Sequence, residues 1–222
     1  LRYSTNSAED SIWLQKQNGQ WQMAAAPGTE QKGPQRYGTF KEAFNHNMVF
    51  VYGTKGNKAE NEWAFNKARY DAETWYYRGN GAVDIIADKE YNTSEYAGRN
   101  VIIYGNASTN SAWSLLLNDS PVQVSRNHVS AGANAWSGDD LAVYFTRPIK
   151  NSPMNAVGVV AGTGLKAMNA ANANQYFAGG SGFPDYMIFR LDMLRDGSQA
   201  IELAGFFDNN WKMDKKNQAG GK

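Results

Sequence analysis

The stretch Met48-Val49-Phe50-Val51-Tyr52-Gly53-Thr54-Lys55-Gly56-Asn57 sets the expected fold. Five apolar residues in a row, without polar alternation, describe a strand covered on both faces, the pattern of parallel sheets. The glycines and Asn57 then end the strand and open a helix. From Lys58 to Tyr77 the spacing becomes three and four: Trp63, Asn66, Tyr70, Thr74 and Tyr77 follow one side, and Ala64, Ala68, Ala72 and Trp75 a neighbouring one. Gly79-Asn80-Gly81 supplies a left-handed stop.

The same order of events recurs twice. Val101–Tyr104 leads through Gly105-Asn106-Ala107-Ser108-Thr109-Asn110 into a helix ending near Leu117. Ala156–Ala161 leads through Gly162-Thr163-Gly164 into a helix expected over Leu165–Phe177. Val83–Ala87, Leu141–Phe145, Tyr186–Phe189 and Ile201–Phe207 also read as strands. Strands alternating with helices predict an α/β fold, with a three-layer arrangement in which a mostly parallel sheet carries helices on both faces.

Upstream, Ile12-Trp13-Leu14 and Trp21-Gln22-Met23 flank Asn18-Gly19, the two-residue signature of a tight hairpin, so an N-terminal β-hairpin is expected over 11–24. Residues 24–38 hold Pro27, Gly28, Gly33, Pro34 and Gly38 and read as a linker. The expected organisation is an N-terminal hairpin and linker (1–38), an α/β domain (39–211) and a polar, solvated tail (212–222). The chain begins at Leu1 without methionine or a leader-like pattern, which suggests a piece processed or excised from something longer.

With 222 residues, 42% hydrophobic and 19% charged, the composition is that of a folded chain. Twenty-two basic residues against 21 acidic ones give a net charge of +1, too little field to expect nucleic acid or an anionic membrane as partner. No apolar run approaches the roughly 20 residues of a membrane span. There is no cysteine, hence no thiolate chemistry. The two histidines, His46 and His128, lie far apart without a carboxylate cluster, so no metal or other cofactor is expected.

Ligands of open parallel sheets bind beyond the carboxyl ends of the strands, where loops gather free amides and helix N-termini. The residues placed there are Thr54, Lys55, Asn57, Asn106, Thr109, Asn110 and Thr163, candidates for holding a ligand or a partner surface. Glycine and asparagine serve strand-to-helix turns equally well without any ligand. Gly162-Thr163-Gly164-Leu165-Lys166-Ala167 fits a loose dinucleotide fingerprint, but Asp185 precedes the next strand and Asp192 comes late, so the supporting acid is misplaced. Gly179-Gly180-Ser181-Gly182-Phe183 breaks the nucleophile-elbow pattern and follows a helix, leaving no catalytic residue to assign. Asp139-Asp140 reads as a turn entering a strand. Trp63, Trp75 and Trp113 read as helix packing rather than sugar platforms. Arg69, Asp71, Glu73 and Arg78 read first as a network tying helix to sheet.

Three long motifs carry a resemblance: Gly53-Thr54-x-Gly56; Ala68-Arg69-x-Asp71-Ala72-Glu73-x-Trp75-x-Tyr77-Arg78-Gly79-Asn80-Gly81; and Arg99-Asn100-Val101-Ile102-x-Tyr104-Gly105-Asn106-x-x-Thr109-Asn110-x-Ala112-Trp113. With Gly138-Asp139-Asp140-Leu141, Val159-Val160-x-Gly162-Thr163-Gly164 and Gly205-Phe206-Phe207, they resemble the region that follows the catalytic domain in secreted bacterial prolyl-oligopeptidase-like or esterase-like α/β-hydrolases. The resemblance covers roughly 35–211. It implies a non-catalytic accessory domain, periplasmic or secreted, with a hydrolase domain upstream in the same polypeptide and a peptide, ester or glycan as substrate. The full protein would then be the serine hydrolase, and no family catalytic residue maps onto this chain. The alternative is an independent domain that binds, or acts on, a phosphate, nucleotide or glycan at the Gly/Asn-rich edge.

Overall fold

The computed structural model describes residues 11–173 and 175–220. The first ten residues of the expected N-terminal extension, Asn174 in the third expected helix and the last two residues of the expected tail lie outside them. The first elements are β1 (Leu14–Gln17) and β2 (Gln20–Met23), a hairpin turned by Asn18 and Gly19, both at positive φ as a type I′ turn requires. A 3-10 helix at Phe40–Phe44 precedes β3 (Met48–Tyr52), α1 (Lys58–Gly79), β4 (Asp84–Ala87), β5 (Asn100–Tyr104) and α2 (Ala112–Leu116). Three short strands follow, β6 (Val122–Ser125), β7 (His128–Ala131) and β8 (Asn134–Ser137). The chain then forms β9 (Leu141–Pro148), β10 (Ala156–Gly162), α3 (Leu165–Ala170), β11 (Tyr186–Arg190), β12 (Ile201–Phe207) and β13 (Met213–Ala219).

Eight strands form the central sheet in the order β13-β12-β11-β9-β10-β5-β3-β4. Only β4, β3, β5 and β10 run parallel; β9, β11, β12 and β13 pair antiparallel. The expected mostly parallel sheet is therefore half antiparallel, and the connections explain it. A parallel crossover needs about a dozen residues, whereas β9 and β10 are joined by residues 149–155 and β12 and β13 by residues 208–212. Such short links permit only hairpins. The polar end of the chain contributes the edge strand β13 where a tail was expected.

The expected helices on both faces are also overturned. One face carries α1, α3 and the 3-10 helix, burying Met48, Phe50, Trp63, Ala68, Ile102, Tyr104 and Met168 together. The other face has only the single short helix α2 and is otherwise roofed by the antiparallel sheet β6-β7-β8, which packs Val122, Val124, Val129 and Ala131 on Val51, Ile103 and Val159. With 13 strands in three sheets among the described residues, the chain is mostly β rather than three-layer α/β. Alternate residues of β3 and β5 enter opposite cores, which is why both strands read as unbroken apolar runs.

The linker is strapped to the body. Lys32 pairs with buried Asp185, whose carboxylate also accepts from the Thr39 and Phe207 amides at 2.7 Å. Buried Arg36 donates to the carbonyls of Thr29, Ser152 and Asn155.

Candidate functional site

Because β3, β5 and β10 are parallel neighbours, their carboxyl ends share one edge, and the three Gly/Asn loops meet there. The bonding runs inward. Asn110 is 1% exposed; its Nδ2 donates to the carbonyls of Val51 at 3.0 Å and Tyr104 at 3.1 Å, and its Oδ1 accepts from the Ala112 amide. Asn106 is fully buried, with Nδ2 donating to the Gly162 carbonyl at 2.7 Å and Oδ1 accepting from the Ser108 amide. The Thr109 hydroxyl accepts from the Asn106 amide, and the Thr163 hydroxyl accepts from the Leu141 amide at 3.2 Å. These side chains occupy one another's backbone groups, as buried polar groups must.

The first loop is held in the same way. Asn57 caps α1 by accepting from the Glu60 amide, while the Glu60 carboxylate accepts from the Asn57 amide, a complete capping box. Thr54 donates its hydroxyl and amide to Asp88. Lys55 alone of the seven candidates is exposed with its side chain unbonded among the described residues.

Asp88 is the residue that sequence reasoning missed. It is 3% exposed and also accepts the Ser111 amide and hydroxyl, so one carboxylate pins the Gly53 loop to the start of α2. Its position just after the Val83–Ala87 strand was the available signal. Over the edge lies the β6–β7 turn. Its Asn127 amide donates to the Thr163 carbonyl, its Arg126 amide to Ser108 Oγ, and the Arg126 guanidinium grips Glu60 through Nε–Oε1 at 3.0 Å and Nη2–Oε2 at 2.6 Å. This fork holds the Glu60 carboxyl below its ordinary range, against the opposing effect of burial.

The other residues singled out in the sequence scatter. Asp71 is buried on α1 and does tie helix to sheet, through Tyr104 of β5, but its cation is Lys67. Arg69 and Glu73 form only an exposed pair. Asp140 pairs with Arg190 beside Glu202. Gly162 lies so close to α3 that an added Cβ would sit 2.5 Å from the Met168 amide nitrogen; it serves packing between strand and helix. His46 and His128 are exposed and their rings make no hydrogen bond with the described residues, and Ser181 donates to the carbonyls of Gln175 and Ala178. Among the described residues no group of three metal-ligating side chains occurs, and no helix is long and apolar enough to cross a membrane.

No family model matches the chain, and no curated protein sequence matches it.

Proposed function

We propose that this chain is an accessory, non-catalytic domain of a larger secreted hydrolase of the prolyl-oligopeptidase-like or esterase-like kind, seated on its catalytic domain through the N-terminal hairpin. The observation that carries this reading is the state of the hairpin. In its register Leu14 faces Met23 and Lys16 faces Trp21 on one side, while glutamines line the other. Ile12, Leu14, Trp21 and Met23 are each about half exposed, at 46–55%. A two-stranded ribbon is marginal in water by itself, and an uncovered apolar face of this kind marks an interaction surface. The inward bonding of the strand-edge residues favours the same reading over a ligand site at that edge, where Lys55 alone of the seven candidates has an unbonded, exposed side chain among the described residues.

Three experiments test it. The chain alone is expected to leave an activated ester such as p-nitrophenyl butyrate unhydrolysed above the buffer rate. The coding sequence before Leu1 is expected to encode a hydrolase domain with a Gly-x-Ser-x-Gly elbow followed by an acid and a histidine. In that full polypeptide, Trp21→Ser with Met23→Ser should loosen the hairpin in hydrogen exchange and lower thermal stability. Turnover by the isolated chain, or a coding sequence without such a domain, overturns the reading.

A further inference from the structure

We propose that the groove between α1 and α3 is a binding site for a neutral saccharide. It is an open groove of about 590 Å³, within the roughly 300–1,000 Å³ typical of small-molecule clefts. One wall is a single face of α1, on which Glu62, Trp63, Asn66, Lys67 and Tyr70 recur at helical spacing. Tyr70 is 50% exposed, and behind it the buried Trp63 indole is fixed by its Nε1–H bond to Asn172 Oδ1 at 2.8 Å. Asn66 is exposed and its side chain makes no hydrogen bond with the described residues; Asn169 faces the groove from α3.

The floor explains the ligand class. Lys67 Nζ is buried and donates to Asp71 Oδ1 at 2.7 Å and to the Asn172 carbonyl at 3.1 Å, with the rings of Tyr70 and Tyr176 5.5 and 5.2 Å away. Asp71 cancels the charge of Lys67, and Glu62 on the rim opposes an anion, so phosphates and sugar acids are disfavoured. The walls are helices whose backbone groups are bonded internally, so an extended peptide finds no ladder to join. What remains are the amides of Asn66 and Asn169, which both donate and accept, beside the half-exposed ring of Tyr70: the complement of hydroxyl groups and the apolar face of a sugar ring. The groove shares no residue with the hairpin, and this inference stands apart from the docking proposal.

The test is titration of the chain with cellobiose, xylobiose, mannobiose and chitobiose, followed by tryptophan fluorescence and calorimetry, with inorganic phosphate, glucuronate and a dipeptide amide in parallel. At least one neutral disaccharide is expected to bind saturably. Tyr70→Ala and Asn66→Ala should each weaken it about tenfold or more, with thermal unfolding unchanged because both side chains are exposed. Leu194→Ala, outside the groove, should leave it intact. No saturable binding up to tens of millimolar, undiminished binding in both variants, or tighter binding of phosphate, glucuronate or the dipeptide amide overturns the proposal.

Discussion

Lys67 Nζ lies 2.7 Å from Asp71 Oδ1, one helical turn away, and the two side chains are 1% and 0% exposed. Asp71 Oδ2 meanwhile accepts from Tyr104 at 3.0 Å and Tyr176 at 2.5 Å. One carboxylate thus joins α1 to β5 and to the segment after α3. Burial raises the Asp71 carboxyl and lowers the Lys67 ammonium, and each charge opposes the shift of the other.

Removing only one partner strands a charge in the core. Asp71→Ala is expected to cost about 3–5 kcal/mol, read as a fall in the urea midpoint at constant slope. The double variant Lys67→Met with Asp71→Leu leaves no lone charge and should cost less than the single change. A double variant that is the worse of the two would show that the tyrosine hydroxyls, rather than the ion pair, dominate.

Gly162→Ala tests whether the glycine-rich turn after β10 is packing. The added methyl would press on the Met168 amide nitrogen at 2.5 Å and on Ala167 Cβ at 2.9 Å, so α3 must move off the sheet. Overpacking of this kind costs about 1–3 kcal/mol. Gly179→Ala, with no atom within 4 Å of the new Cβ, should stay within about 0.5 kcal/mol of the wild type. Equal stabilities for the two variants would refute the packing role.

The contrast between what was readable in the residues and what was not follows from burial and strand length. β3 and β5 are covered on both sides, so every residue but Asn100 at the start of β5 is apolar and the strands are plain. β6, β7 and β8 are four residues each; in β6 and β7 only alternate positions such as Val122, Val124 and Val129 are buried, with glutamine and serine between them, and β8 buries none, so the pattern is blurred. Missing that small sheet gave two helical layers where one is β. It also changed the meaning of Asn106 and Asn110. Their place at the carboxyl edge was legible, but whether an asparagine there reaches outward depends on what covers it, and the cover is the β6–β7 turn.

Alkali should unfold this chain through its buried phenols. Burial pushes Tyr91 and Tyr186 up to about 12 and raises Tyr104, Tyr144 and Tyr176 as well. In the unfolded chain these groups ionise near 10. The folded state therefore favours the neutral phenol, and the stability this represents is complete below about pH 10 and is lost as pH rises through about 12. Unfolding free energy measured in urea should fall over that window together with the appearance of tyrosinate absorbance. Tyr91→Phe should flatten the fall, whereas a pH-independent stability across the window would contradict it.

The Arg126–Glu60 fork gives the opposite dependence at acid pH. The guanidinium holds the folded carboxyl below its ordinary value, so the fork's stabilisation is present above the unfolded value of about 4.3 and disappears as pH falls through the lower, folded one. Arg126 is 45% exposed, so solvent screens the pair and the effect is modest. Arg126→Gln should lower stability at neutral pH and leave it nearly unchanged where Glu60 is protonated in both states, so the two stability curves converge on acidification. The same variant frees the β6–β7 turn from the helix cap at Asn57, and hydrogen exchange at the Asn127 amide, bonded to the Thr163 carbonyl, should quicken. Parallel curves down to the acid limit would show that the fork does not hold the turn over the strand edge.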